Sequence, residues 1–169
     1  MRLYALLLFL HVLASIVWVG GMFVIHFAVR PAALEVLAPP QRLALLAAVL
    51  RRFFGWVTVS SLVVLVTGLL MFVAVGVAAG AIAAGRNAFV EGLRIAHPSI
   101  HAMFALGLVM VAIYAFIRTL PFVRLRAAVA AQDWPAAAAQ LDRIRVLVAT
   151  NLALGIVVVG TATLGRAFG

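Results

Sequence analysis

Charged residues all but vanish from four long stretches of the chain and gather in the gaps between them. The apolar stretches run from about Leu3 to Val29, Phe53 to Ala79, Pro98 to Leu120 and Val146 to Leu164. Each comes close to the roughly 20 apolar residues needed to cross a bilayer as a helix. The pattern predicts an all-α protein, an integral membrane four-helix bundle forming a single transmembrane domain over residues 1–169. The first stretch continues past Ala14 to Val29, too long for the apolar core of a signal peptide, so it reads as a retained span.

The polar gaps carry their own signals. The first span is expected to stop at Arg30–Pro31. Ahead of the second lies PPQRLALLAAVLRRFFGW, helical in character with no breaker until Gly55. Ahead of the fourth lies DWPAAAAQLDRIR, where Asp133 can cap a helix whose first turn holds Pro135. Spans two and four are therefore expected to run on as helices beyond the bilayer on one side. Pro98 is expected at the first position of the third helix, with His97 at its cap.

The thirteen basic residues are all arginine, and they divide unevenly. Arg30, Arg42, Arg51 and Arg52 lie between spans one and two, and Arg118, Arg124, Arg126, Arg143 and Arg145 between three and four. Only Arg2, Arg86, Arg94 and Arg166 fall on the opposite side. This asymmetry predicts cytoplasmic connections and both termini outside, with Trp56 and Tyr4 in the aromatic belts.

Composition agrees: 67% of residues are hydrophobic and 10% charged, against about half and a quarter in a soluble domain. A net charge of +9 would suggest nucleic acid in a soluble protein. Here it reads as topology and contact with anionic lipid headgroups, with no nucleic-acid partner. Absence of cysteine excludes disulfides, thiolate metal sites and iron–sulfur clusters.

A shift of about 90 residues lays His11 on His101 and Pro31 on Pro121, a plan compatible with two parallel two-helix repeats. Depth agrees without the repeat. His11 lies nineteen residues before Arg30 and His101 seventeen before Arg118. At 1.5 Å per residue both stand about 25–29 Å from those arginines, in the outer leaflet.

Helical rotation puts His11, Ser15, Trp18, Met22 and His26 on one stripe, expected to face the bundle interior because imidazole in lipid is costly. On the third span His97, His101, Phe104 and Leu108 share a face. The plain reading is that these histidines hydrogen-bond to backbone or Ser15 and hold helices together. The sharper reading is haem or metal ligation. Haem needs two neutral imidazoles on opposite faces of the iron, which level histidines on helices one and three could supply. His97, one turn outward from His101, is its substitute. Arg86 and Arg94 occupy the outer loop, where haem propionates would point; solvated loop charge is the alternative. His26 has no histidine at its depth, being about 22 Å along the helix from His11. It could carry a proton, touch a quinone or bond a neighbour.

Asn151, Gly155 and Gly160 mark a close-packed face on span four, as do Ser60, Ser61, Thr67 and Gly68 on span two. Met22, Met71, Met103 and Met110 could be soft copper ligands, although they are spaced like core residues. The acids Glu35, Glu91, Asp133 and Asp142 all fall in connections, which disfavours a carboxylate-driven transporter.

The segment LHVLASIVWVGGMFV, with His11, Trp18, Gly20 and Gly21, resembles the first helix of CopD-like membrane proteins and of the related HemJ group, associated with protoporphyrinogen oxidation. Those families carry an ionisable residue early in a later helix, usually lysine, where this chain offers His101 in HPSIHAMFALGLVM. The resemblance implies a four-helix bundle in a bacterial inner (cytoplasmic) membrane and, from the HemJ side, haem b with His11 as ligand. Together these observations lead to the expectation of a membrane oxidoreductase of cytochrome b type. It would carry one electron between a quinone or small oxidant and an outer-side redox partner. His11 and His101 would be the axial ligands, and Trp18 and Phe104 the pocket walls. The alternatives are a CopD-like copper-handling protein using His11, Met22, His26, His97 and His101, a HemJ-like protoporphyrinogen oxidase, or an assembly subunit without cofactor. Oligomeric state is left open.

Overall fold

A computed structural model describes residues 2–165, so Arg166 lies outside the described residues. Helix α1 (Arg2–Val24) passes through a π-helical turn (Ile25–Val29) into α2 (Arg30–Val36). After Leu37 and Ala38 comes α3 (Pro39–Ala78), followed by the short α4 (Ala88–Ile95). Then follow α5 (Pro98–Thr119), α6 (Pro121–Ala130) and α7 (Trp134–Leu164).

Proline divides the chain into these pieces. Pro39, Pro40, Pro98, Pro121 and Pro135 all stand in the first turn of a helix, where the missing N–H has no partner to lose. Asp133 Oδ1 accepts from the Ala136 N–H at 3.0 Å, and the His97 side chain accepts from the Ser99 N–H at 3.3 Å, so both caps form as expected. The extensions ahead of spans two and four are also helical, as 40- and 31-residue helices. The helix of span one, however, does not stop at Arg30–Pro31. A proline ring clashes with the carbonyl four residues back, and the wider turn at Ile25–Val29 opens the ladder where that clash would fall. Helical structure then continues to Val36.

Among the described residues, four helical segments are long and apolar enough to cross a membrane: Arg2–Val36, Pro39–Ala78, Pro98–Ala130 and Trp134–Leu164. The chain is an all-helical membrane protein. Helix α1 packs on α3, α5 and α6 pack on α7, and α7 also reaches α1 and α3, which closes the bundle. Large apolar side chains such as Phe9, Ile16, Phe23 and Phe27 stand outward. In water they would be a liability; in a bilayer they meet a solvent as apolar as themselves.

The densest packing joins the second half of α1 to the first part of α3, the end of α5, α6 and the start of α7. There Phe54, Val57, Ile117, Phe122 and Leu125 are almost fully buried. Phe54 is the hub, with Phe122 edge-on at 5.0 Å and Tyr114 at 5.8 Å. The Tyr114 hydroxyl donates to the Phe54 carbonyl at 2.7 Å, beside the Thr58 hydroxyl at 2.6 Å. At the other end α4 lies against the close of α3. A Cβ at Gly76 would overlap the Ala88 carbonyl, and one at Gly92 the Phe72 carbonyl, so only glycine permits this approach. Gly155 is also closely packed, its would-be Cβ meeting Val19 at 2.9 Å, whereas Gly160 has no neighbour within 4 Å.

Candidate functional site

The expected stripe on α1 is turned inward: Trp18 and Met22 are buried and His11, Ser15 and His26 half-buried. The intervening Val12, Leu13, Ile16, Val17, Phe23 and Val24 are exposed. Ser15 satisfies its hydroxyl within the helix, donating to the His11 carbonyl at 2.8 Å.

His11 is held by α3. Its Nδ1 lies 2.9 Å from Thr67 Oγ1, and the absent side chain of Gly68 makes room, since a Cβ there would sit 3.4 Å from His11 Cε1. Thr67 has one hydroxyl proton and donates it to the Val63 carbonyl at 2.6 Å. With that proton so committed, the Thr67 oxygen is placed to accept from His11 Nδ1–H, the tautomer in which Nε2 is the ring's acceptor. A backbone-anchored hydroxyl thus orients the ring and favours one tautomer, as outer partners of metal-binding histidines do.

The other candidates stand apart. His97 caps α5, with Nδ1 2.9 Å from the Ser99 hydroxyl, and His101 one turn later is exposed. Phe104 packs edge-on against Phe72 at 5.6 Å, and Phe72 against Phe89 at 6.0 Å. Trp18 meets Tyr114 at 6.1 Å in the dense core, so the two expected pocket walls are engaged by different neighbours. Arg86 and Arg94 converge on Glu91, which is buried: Arg94 binds it through two nitrogens at 2.6 and 3.2 Å, and Arg86 lies 3.4 Å away. The Arg94 hydrogen bonds, aided by the charges of Arg86 and Arg94, outweigh desolvation and hold the Glu91 carboxyl below the usual carboxylate range. His26 sits in the π-helical turn, beside Arg30 and Arg145.

Among the described residues, no group of three or more His, Cys, Asp or Glu side chains is placed to hold a metal ion. The chemistry on offer is a single oriented imidazole at His11, buried thioethers at Met22 and Met110, and two histidines at the start of α5.

Fold and site together define a four-helix membrane protein with one oriented histidine inside the bundle. The family described as Copper resistance protein D matches residues 47–164, about 70% of the chain, and the protein belongs to that family. The match begins within α3, so it is independent of the first-span residues that carry the resemblance. No significant match is found among curated proteins or among solved structures.

Sequence reasoning placed Thr67 and Gly68 on a contact face but did not pair them with His11. That pairing needed the register between α1 and α3, which spacing along one helix does not contain. It also read Arg86 and Arg94 without Glu91, although the i, i+3 spacing of Glu91 and Arg94 is the local signal for such a pair.

Proposed function

We propose that this protein handles copper in the membrane, receiving the ion as cargo at the histidine end of the bundle through His11. Membership of the copper-resistance family supports the copper part of this reading, and it is the observation that carries it. The inward stripe of α1 supports the choice of residues. Copper(I) is a soft ion that takes imidazole and thioether donors. His11 offers Nε2 in the favoured tautomer, so binding needs no proton release from the ring. His97 and His101, at the start of α5, would meet the ion first. Met22 lies about 16 Å further along the stripe, as the next soft donor. His26 is placed outside this path, because Arg30 and Arg145 border the same small cavity and disfavour a cation there. The positive-inside bias supports an orientation with the arginine-rich connections in the cytoplasm and the histidine end outside.

One observation favours a second reading. An imidazole held at Nδ1 is also the arrangement of a haem axial ligand. A haem b there would supply one-electron chemistry with a quinone or an outer-side protein. His11 would be one ligand and His101, or His97, the other. His101 is exposed and Trp18 and Phe104 are packed elsewhere, so this fit is poorer than that of a mobile ion.

A visible spectrum with metal analysis of the purified protein separates the two. Copper binding by a protein without a Soret band, after haem-replete expression, is the expected result. A Soret band with sharp α and β bands on reduction, lost in His11→Ala, would install haem in place of copper.

A further inference from the structure

At the arginine-rich end, the close of α5, the start of α6 and the middle of α7 border an open cleft of about 510 Å³. That is the size of a small-molecule site. Its two halves differ. Phe116, Leu120 and Val146 form an apolar side belonging to the ends of spans three and four. Arg124, Arg143 and Arg145 form a basic side, with Asp142 as the acid among them.

Asp142 is already engaged, 3.7 Å from Arg145 and 4.0 Å from Arg30. Among the described residues neither Arg124 nor Arg143 has an ion-pair partner. The cleft therefore carries two free guanidinium groups and a net positive charge. Gln140 also lines it, with Oε1 buried and without a hydrogen-bond partner.

We propose that this cleft binds an anionic phospholipid, its phosphate between Arg124 and Arg143 and an acyl chain along Phe116 and Val146. Guanidinium forks match the tetrahedral phosphate oxygens. The apolar half selects a lipid over free phosphate, which has nothing to place there. The site lies where the apolar spans give way to the arginine-rich extensions, the level at which headgroups stand.

The test is a titration of the full-length protein in nonionic detergent with short-chain phosphatidylglycerol, read as a shift in the thermal unfolding midpoint. Phosphatidylcholine of the same chain length and inorganic phosphate are the parallel arms. Phosphatidylglycerol should raise the midpoint saturably, and the other two should not. Losing a charge-assisted contact weakens binding about tenfold, so Arg124→Gln with Arg143→Gln should cost about a hundredfold in apparent affinity. Arg143→Lys should retain part of it. Arg51→Gln with Arg52→Gln removes the same charge elsewhere at this end and should leave affinity unchanged. Equal loss in both double variants would show bulk charge attraction and overturn the site. Equal response to inorganic phosphate would overturn the lipid. Far-UV circular dichroism checks that the variants fold.

Discussion

Leu43, Leu50, Leu125 and Ile144, at the arginine-rich end, are almost wholly buried, whereas Leu3, Leu6, Phe9 and Leu108, at the histidine end, stand exposed. Helix α5 has no buried residue before Met110. The difference follows from the two solvents. The arginine-rich extensions of α3 and α7 run past the apolar spans, where exposed leucine costs about 25 cal/mol per Å² of apolar surface. They therefore build a core of the kind found in water. Inside the bilayer lipid covers apolar side chains without penalty, and only polar groups and close packing have to be arranged. There the chain attends to His11 and Thr67, and leaves its leucines to the membrane.

The largest effect should come from emptying the dense end. Phe54→Ala removes the hub between Tyr114 and Phe122 and should cost about 3–5 kcal/mol in unfolding free energy, whereas Leu6→Ala should stay within about 0.5 kcal/mol. Similar losses at both positions would dissolve the contrast between the ends. Next comes Gly92→Val, which drives a side chain into the Phe72 carbonyl and should cost about 1–3 kcal/mol. Hydrogen exchange should then speed up over Ala88–Ile95 while the start of α7 keeps its protection.

Much of this was legible in the sequence, and what escaped has a common physical cause. Four helices, their proline starts, the Asp133 and His97 caps and the inward face of α1 all follow from local chemistry and a 3.6-residue period. The continuation past Pro31 did not, because a π-helical turn has no composition signal. Contacts between helices were also out of reach: Thr67 with His11, and Phe104 with Phe72. Each depends on how two helices slide past one another, which a hydrophobic stripe leaves free.

Smaller effects sharpen the histidine end. Thr67→Val removes the acceptor of His11 Nδ1–H and should cost about 1 kcal/mol, the scale of a hydrogen bond between membrane helices. Nitrogen NMR of labelled histidine should show His11 passing from one tautomer to a mixture. The pH dependence is gentler. Glu91 has a folded pKa below its unfolded value, so its stabilisation is complete above the unfolded pKa and drains away as pH falls through the folded one. Thermal midpoints should diverge from those of Glu91→Gln above that window and converge below it. Parallel curves would remove Glu91 as the anchor of α4.

The most direct measurement is a copper(I) titration of the purified protein against a competing chromophoric chelator, with His11→Ala and Thr67→Val alongside. The wild-type chain should take copper from the chelator. Thr67→Val should bind about tenfold more weakly, as expected when an outer hydrogen-bond partner of a ligand is lost, and His11→Ala should not compete. Copper bound equally well by His11→Ala would contradict the role given to this histidine.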